Sequence, residues 1–173
     1  MTPFDLNHSL ESMIVLVDTR EQDTPALHRL LKGLSCPFER MKLDFGDYSC
    51  KYLLSDGTEQ MLDVTIERKM NIDELCNCFC KGRVRFTKEF ERAKTVGAKI
   101  YLVIENGSWE KVYNGEYRSK MTSEALVSSL TAWQARYNCI VTFCDQKTCG
   151  ALIREFLYRE LKEQLESGRM DSA

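Results

Sequence analysis

A short run of charged residues, "ERKMNID", occupies positions 67–73 directly after the apolar-alternating run "MLDVTI". Glu67 and Lys69 lie two positions apart, so on a strand their side chains point to the same face. With Asp47 from the preceding segment they would form two carboxylates beside an ammonium group. Oxygen ligands of this kind suit Mg²⁺ or Mn²⁺, which lower the pKa of a bound water and stabilise charge on a phosphate. The alternative is a strand end with solvated ion pairs, which contribute little.

The hairpin between these segments decides whether Asp47 can join Glu67. Its turn, "SDGT", contains the Asp-Gly pair typical of tight hairpins. A two-residue loop would pair Ser55 with Thr58 and set Asp47 opposite Ile66, facing away from Glu67. A longer Gly-containing loop or a bulge would set Asp47 opposite Glu67 on the same face. We therefore predict a bulge or a longer turn.

The elements that must position these residues alternate along the chain. Apolar periodicity predicts an α/β protein with a mixed β-sheet flanked by helices on both faces. We expect an N-terminal extension at 1–12, a single domain at 13–166 and a flexible tail at 167–173. The predicted strands are "SMIVLVD", "FERMKLDF", "YSCKYLLS", "QMLDVTIER", "AKIYLVIE" and "CIVTFC", and the predicted helices are "TPALHRLLKGL", "NIDELCNCFC", "RFTKEFERAKTVG", "TSEALVSSLTAWQARYN" and "KTCGALIREFLYRELKEQLE".

Composition places the chain among globular proteins and excludes several classes. Its 173 residues are 43% hydrophobic and 29% charged, the apolar runs are too short to span a bilayer, and the N-terminus lacks the features of a secretory signal. We therefore expect a cytoplasmic protein, or a nuclear one in a eukaryote, that is neither secreted nor membrane-bound and whose eight cysteines are free thiols. In "CNCFC", Cys76, Cys78 and Cys80 are spaced too closely for a typical zinc site, which favours buried thiols.

Three ordered segments resemble the nuclease domain of the XPF-type structure-specific endonucleases. They are "VDTREQ" (17–22), "FGDY" (45–48) and "IERKMNID" (66–73). The family signature, G-D followed after a spacer by E-R-K-x-x-x-D, is matched here at every position, and the similarity extends over about residues 13 to 160. The resemblance implies a restriction-endonuclease-like fold and a divalent-metal-dependent endonuclease that hydrolyses phosphodiester bonds in DNA.

The resemblance also implies roles for the matching residues. Asp47 and Glu67 correspond to the principal metal ligands, and Lys69 to the catalytic ammonium. Asp18 corresponds to an acid that either binds the Mg²⁺ or Mn²⁺ ion or supports its ligands. Arg68 is required in such enzymes, and its alternation on the strand points it away from Glu67, so a phosphate-binding and a structural role are both open. Arg20, Glu21 and Asp73 match the family pattern as supporting residues. A salt-bridged loop would explain the presence of Arg20 and Glu21 equally well. For Asp73 the alternative role is capping of the helix that follows.

A basic segment follows the signature. Between positions 81 and 99 there are seven lysines and arginines against two glutamates, in a chain whose net charge is −2. Such a surface can track DNA phosphates, although a solvated amphipathic helix is the alternative. The best candidates for DNA contact are Arg83 and Arg85, with Lys81 and Lys88 beside them. Because nothing here reads base edges, recognition of branched DNA such as flaps and forks is favoured over sequence recognition.

Two other functions remain open from the sequence: a non-catalytic DNA-binding or scaffold subunit, and a related nuclease that acts at ends or at a specific sequence. Larger XPF-type proteins carry a tandem helix-hairpin-helix module after this domain, and we expect no such module after the last predicted helix here. We therefore expect DNA binding through a homodimer or with a separate DNA-binding partner.

Overall fold

The computed structural model describes residues 2–168. Of the predicted flexible tail at 167–173, positions 169–173 therefore lie outside the described residues. The helices are α1 (Pro3–Glu11), α2 (Pro25–Leu34), α3 (Ile72–Phe79), α4 (Arg83–Thr95), α5 (Trp109–Asn114), α6 (Ser123–Tyr137) and α7 (Cys149–Glu166). The strands are β1 (Ile14–Asp18), β2 (Phe38–Met41), β3 (Tyr48–Leu53), β4 (Glu59–Met61), β5 (Val64–Lys69), β6 (Lys99–Glu105) and β7 (Cys139–Cys144).

The strands form one mixed sheet in the order β2-β1-β3-β5-β6-β7, with β4 paired to β3. Strand β3 runs antiparallel to both β1 and β5, whereas β5, β6 and β7 are parallel to one another. The parallel half requires helical crossovers, and α3–α4 and α5–α6 supply them. The predicted α/β fold with a mixed sheet flanked by helices is confirmed.

Alternation along the central strands divides the interior into two apolar clusters, one on each face of the sheet. Tyr101 and Val103 of β6 belong to the cluster beneath α2 and α7, whereas Leu102 and Ile104 belong to the cluster beneath α3, α4 and α6. The same alternation in β5 directs its odd-numbered residues toward α4. The candidate residues Glu67 and Lys69 therefore lie on the α4 face of the sheet.

Side-chain caps fix where several helices begin. Thr24 accepts a hydrogen bond from the backbone N–H of Leu27 at the start of α2, and Asn71 accepts one from Glu74 at the start of α3. Such caps satisfy backbone donors that have no partner within the helix. The cap at Asn71 ends β5 immediately after Lys69 and turns the chain into α3.

The structure differs from the sequence prediction in four places. The segment "QMLDVTIER" is two strands, β4 and β5, and "FERMKLDF" is strand only at Phe38–Met41. The polar loop after β6 contains α5, and the expected N-terminal extension contains α1, whose Leu6 and Leu10 pack against the cluster beneath α7. Short helices give weak periodic signals, which is why neither was predicted.

The eight cysteines are free thiols, as expected, but only Cys76 of the "CNCFC" run is buried, while Cys80 is exposed. Within residues 2–168 no helix is both long and apolar enough to cross a bilayer.

Helices α2 and α7 cross at a pair of glycines, and this crossing gives a testable prediction. A Cβ atom added to Gly150 would lie 2.2 Å from the carbonyl oxygen of Leu30, whereas one added to Gly33 would come no closer than 3.6 Å to any atom. We expect Gly150→Ala to lower the free energy of unfolding by about 2–3 kcal/mol because backbone atoms must separate. Gly33→Ala should change it by less than about 1 kcal/mol, since alanine favours the helix. Urea unfolding of both variants measures the difference, and equal effects would contradict the close crossing.

Candidate active site

A groove at the end of β5 gathers the predicted site residues. Asp47, Glu67 and Lys69 line it, and Arg85 and Arg92 of α4 border it, around a cavity of about 450 Å³. The two acids therefore line an open groove whose walls carry both arginines and glutamates, with Arg85 and Arg92 on the α4 side.

The predicted register at the site is observed, although it arises differently. The hairpin has a three-residue loop, 55–57, with Gly57 in the left-handed region, and Leu53 pairs with Glu59. Two residues between β4 and β5 then shift the pairing, so that Tyr48 lies opposite Ile66. Continuing that register places the backbone of Asp47 opposite Glu67, on the same face of the sheet. The longer turn that we predicted is thus confirmed, and a second irregularity completes the register.

Glu67 and Lys69 form a buried ion pair, in which Lys69 Nζ contacts Glu67 Oε1. The ammonium also lies 5.3 Å from the centre of the Phe86 ring, which restricts it further. Burial opposes the charged form of Lys69, but the carboxylates of Glu67 and Asp47 outweigh it and raise the pKa of Lys69, so the ammonium stays protonated. Glu67 Oε2 is buried and has no hydrogen-bond partner among the described residues.

Asp47 is held by backbone hydrogen bonds on both sides. Its N–H donates to the Ile66 carbonyl and its carbonyl accepts from the Asp18 N–H, both at 2.8 Å. Its Oδ2 accepts from the backbone N–H of Arg68 at 2.8 Å. Burial and the nearby charge of Glu67 together raise the pKa of Asp47 well above its ordinary value, and burial likewise raises the pKa of Glu67.

These two acids fit a divalent cation. The buried carboxylate of Glu67 and the partly buried one of Asp47 repel each other unless a cation lies between them, and Glu67 Oε2, which has no hydrogen-bond partner in the described part of the chain, is available to such a cation. Across residues 2–168 no group of three or more Asp, Glu, His or Cys side chains is placed to hold a metal. A divalent ion held here would have these two carboxylates as its protein ligands, and Mg²⁺ commonly binds through one or two carboxylates and several waters.

Asp18, predicted as a ligand or a supporting acid, is fully buried and engaged by protein donors. Its Oδ1 accepts from the backbone N–H and Nε of Arg20, and its Oδ2 accepts from the Leu43 N–H, each at 2.7 Å. Burial alone would raise the pKa of Asp18, but these hydrogen bonds lower it. The geometry favours the supporting role, in which Asp18 and Arg20 fix the loop 42–47.

Arg68 lies on the opposite face of the sheet from Glu67, as its alternation predicted. Its Nε is 2.7 Å from Glu105 Oε1, and its Nη1 is 3.7 Å from Glu21 Oε2, which also accepts from the Tyr48 hydroxyl. The guanidinium is therefore paired within the protein, while its backbone N–H binds Asp47. Of the two roles left open by the sequence, the geometry favours the structural one.

Comparison with known proteins places the chain in a family. The family model of the ERCC4 domain matches residues 17–156, most of the sequence. The chain belongs to the ERCC4 domain family.

A solved structure, XPF from Aeropyrum pernix, has the same fold, with a TM-score of 0.57 and 22% sequence identity. The match covers 83% of this ERCC4 domain and 59% of the length of that chain. No curated protein matches the sequence. The resemblance to XPF-type nuclease domains is thus confirmed at the level of family and fold.

Asp73, the last acid of the signature, lies in the first turn of α3, but its carboxylate binds the loop between α5 and α6. Its Oδ1 accepts from the backbone N–H groups of Arg118 and Ser119, both at 2.8 Å, and its Oδ2 accepts from Arg118 Nε at 3.3 Å. In this ERCC4 domain Asp73 therefore holds the loop before α6 against the start of α3, and helix capping alone does not describe its role.

The predicted DNA-binding residues divide into two groups. Arg85 lines the groove, whereas Lys81, Arg83 and Lys88 are exposed outside its lining. The guanidinium of Arg83 lies 5.5 Å from the Trp133 ring.

Sequence reasoning counted Glu89 and Arg92 only as charges of the basic segment 81–99 and did not assign them to the site, although both line the groove. They follow Arg85 at i+4 and i+7, so all three share one face of α4. That spacing was the available signal.

Proposed function

We propose that this ERCC4 domain is a Mg²⁺- or Mn²⁺-dependent DNA endonuclease that hydrolyses phosphodiester bonds at flaps, forks or junctions during DNA repair, recombination or replication. One observation carries the proposal: Asp47 and Glu67 converge on one face of the sheet beside the buried ammonium of Lys69. Membership of the ERCC4 domain family supports it, because the segments that carry these residues resemble the signature of XPF-type nucleases.

Each residue of the cluster has a distinct part in this reaction. Asp47 and Glu67 would hold the metal ion, which supplies a water of lowered pKa and positive charge for the phosphate. Lys69, kept protonated by the two acids, would donate a hydrogen bond to the attacking water or to a phosphate oxygen. Arg68 orients Asp47 through its backbone N–H. The reaction thus depends on charges that β3 and β5 place in advance.

The DNA is bound, in this proposal, by the groove face of α4. Arg85 and Arg92 border the cavity, and a guanidinium can bind a phosphate with two parallel hydrogen bonds. Because the whole chain carries a net charge of −2, this face provides limited attraction. A second copy of the chain or a separate DNA-binding partner therefore supplies further contacts with DNA. Light scattering with and without a fork substrate distinguishes a homodimer from a monomer that needs a separate partner.

A substrate panel tests the function. Labelled flap, fork, four-way, linear and circular DNA are incubated with the wild type in the presence and absence of Mg²⁺ or Mn²⁺. Metal-dependent cleavage of branched DNA in preference to linear and circular DNA is expected. Binding without cleavage would instead indicate a scaffold subunit, and equal cutting of linear DNA from its ends would indicate an exonuclease.

A change of the basic face gives a prediction about affinity. Arg85→Ala should weaken binding to all DNA sequences about equally and reduce the slope of log affinity against log salt concentration by about one. Fluorescence anisotropy without divalent ions measures this. Arg159→Ala, which removes an arginine of α7 paired with Glu155 outside the groove, is the matched control, and equal losses in both variants would place the DNA elsewhere.

A further inference from the structure

Glu89 on α4 makes a contact that neither the signature nor the proposed chemistry assigns. Its Oε1 accepts a hydrogen bond from the backbone N–H of Gly46 at 3.2 Å and lies 3.8 Å from Arg20 Nη2. Only 14% of its side chain is exposed. Gly46 immediately precedes Asp47, so this carboxylate contacts the peptide next to a candidate metal ligand.

The loop 42–47 is the least regular part of the site. Gly46 has a φ of 70° and is buried, so the loop depends on side chains to fix its backbone. On one side Asp18 accepts from the Leu43 N–H, and Arg20 Nη2 donates to the carbonyls of Leu43 and Gly46 at 3.3 and 3.5 Å. On the other side, Glu89 accepts from the Gly46 N–H.

Helix α4 holds the same loop at a second point. Arg92 Nε donates to the Asp44 carbonyl at 2.9 Å, one helical turn from Glu89. Arg85 lies on this face of α4 as well. One helix face therefore both holds the loop that carries Asp47 and borders the cavity where DNA is proposed to bind.

We propose that Glu89 is a positioning residue of the endonuclease, which through Gly46 holds Asp47 opposite Glu67; this inference rests on the proposed function. The carboxylate acts through the backbone and not as a third metal ligand, because its Oε1 accepts from Gly46 and no group of three or more such side chains within residues 2–168 is placed to hold a metal.

The surroundings of Glu89 explain why a third carboxylate is tolerated beside Asp47 and Glu67. Glu89 and Glu67 both line the groove, so their negative charges repel each other. Arg20 offsets that repulsion on one side, and a cation between Asp47 and Glu67 would offset it on the other. The hydrogen bond to Gly46 needs an acceptor oxygen and not a negative charge, so glutamine can replace glutamate in this role.

Three variants test the inference. Glu89→Ala removes the acceptor, Glu89→Gln keeps an acceptor without the charge, and Glu91→Ala removes a glutamate of the same helix that accepts from the Tyr137 hydroxyl instead. Amide hydrogen exchange of residues 42–47 without metal or DNA reports the loop directly. Cleavage kcat and DNA dissociation constants without metal report its consequences.

Positioning predicts faster exchange in 42–47 and a kcat about 10²-fold lower for Glu89→Ala, with DNA affinity nearly unchanged. Glu89→Gln and Glu91→Ala should both resemble the wild type. Wild-type exchange and kcat in Glu89→Ala would overturn the inference, as would a Glu89→Gln variant with normal exchange but no cleavage, because the charge itself would then be needed. If the wild type cleaves no DNA, the proposed function fails, and the exchange comparison still decides whether Glu89 holds the loop.

Discussion

Asp47→Asn should lower the rate of metal-dependent cleavage by roughly 10²–10³-fold, the size of effect expected when one fixed electrostatic group of a reaction is removed. The change keeps an oxygen that can accept from the Arg68 N–H but removes the charge that would bind the cation. DNA affinity measured without divalent ions should not fall, because a negative charge near the phosphate has been lost. Single-turnover cleavage and anisotropy separate the two effects.

The same variant should be at least as stable as the wild type in the absence of metal. Burial and Glu67 raise the pKa of Asp47 in the folded protein above its unfolded value near 3.8. Between the unfolded and the folded pKa of Asp47, the native state binds this proton and the unfolded state does not. The free energy of unfolding therefore falls as pH rises from the unfolded to the folded pKa. Asparagine does not titrate, and the advantage of Asp47→Asn should therefore grow from about pH 4 upward. Thermal unfolding at several pH values measures it.

Asp63→Asn provides the matched control for both measurements, because Asp63 is exposed on the segment that leads into β5. It should cleave DNA like the wild type and show no such trend with pH. An Asp47→Asn variant that cleaves as fast as this control would contradict the assignment of Asp47.

Gly46→Ala should lower the free energy of unfolding by about 2–4 kcal/mol and impair cleavage as well. A Cβ atom at this position would lie 1.9 Å from Thr65 Oγ1, and the left-handed conformation at a φ of 70° adds strain of about 1 kcal/mol for alanine. Thr65 is itself fixed by donating to the carbonyls of Phe45 and Tyr48, so it cannot move away freely. Urea unfolding and cleavage assays measure the two losses.

Gly57→Ala isolates the conformational part of that effect, so the difference between the two variants gives the steric part. Gly57 also has a positive φ, 82°, but a Cβ atom there would meet nothing within 4 Å. It should cost only the conformational strain, about 1 kcal/mol, and leave cleavage intact. Equal losses in both variants would show that the contact with Thr65 is unimportant.

Much of the fold could be predicted from local pattern. The buried run of β6 and the Asp-Gly turn of the hairpin are short-range signals, and each appears in the structure where expected. The register required two irregularities, a three-residue loop and an offset between β4 and β5, of which only one was predicted. A local pattern fixes which face a residue occupies, but the pairing of β3 with β5 is decided by the packing of the whole sheet.

The candidate site shows the same division. Strand alternation predicts that Glu67 and Lys69 share one face of the sheet and that Arg68 lies on the other. By contrast, the partners of Arg68 and Asp73, which are Glu105 and the loop at Arg118, come from elements far along the chain. Glu89 was counted only as a charge that reduces the basic surface. Such long-range contacts leave no periodic trace in the sequence.

Binding of Mn²⁺, followed by the loss of the free-ion signal in electron paramagnetic resonance, tests the central claim most directly. If Asp47 and Glu67 hold one divalent ion together, the wild type should bind Mn²⁺, and Asp47→Asn and Glu67→Gln should each abolish that binding while Asp63→Asn retains it. Undiminished Mn²⁺ binding in both of the first two variants would contradict a shared metal site at these residues.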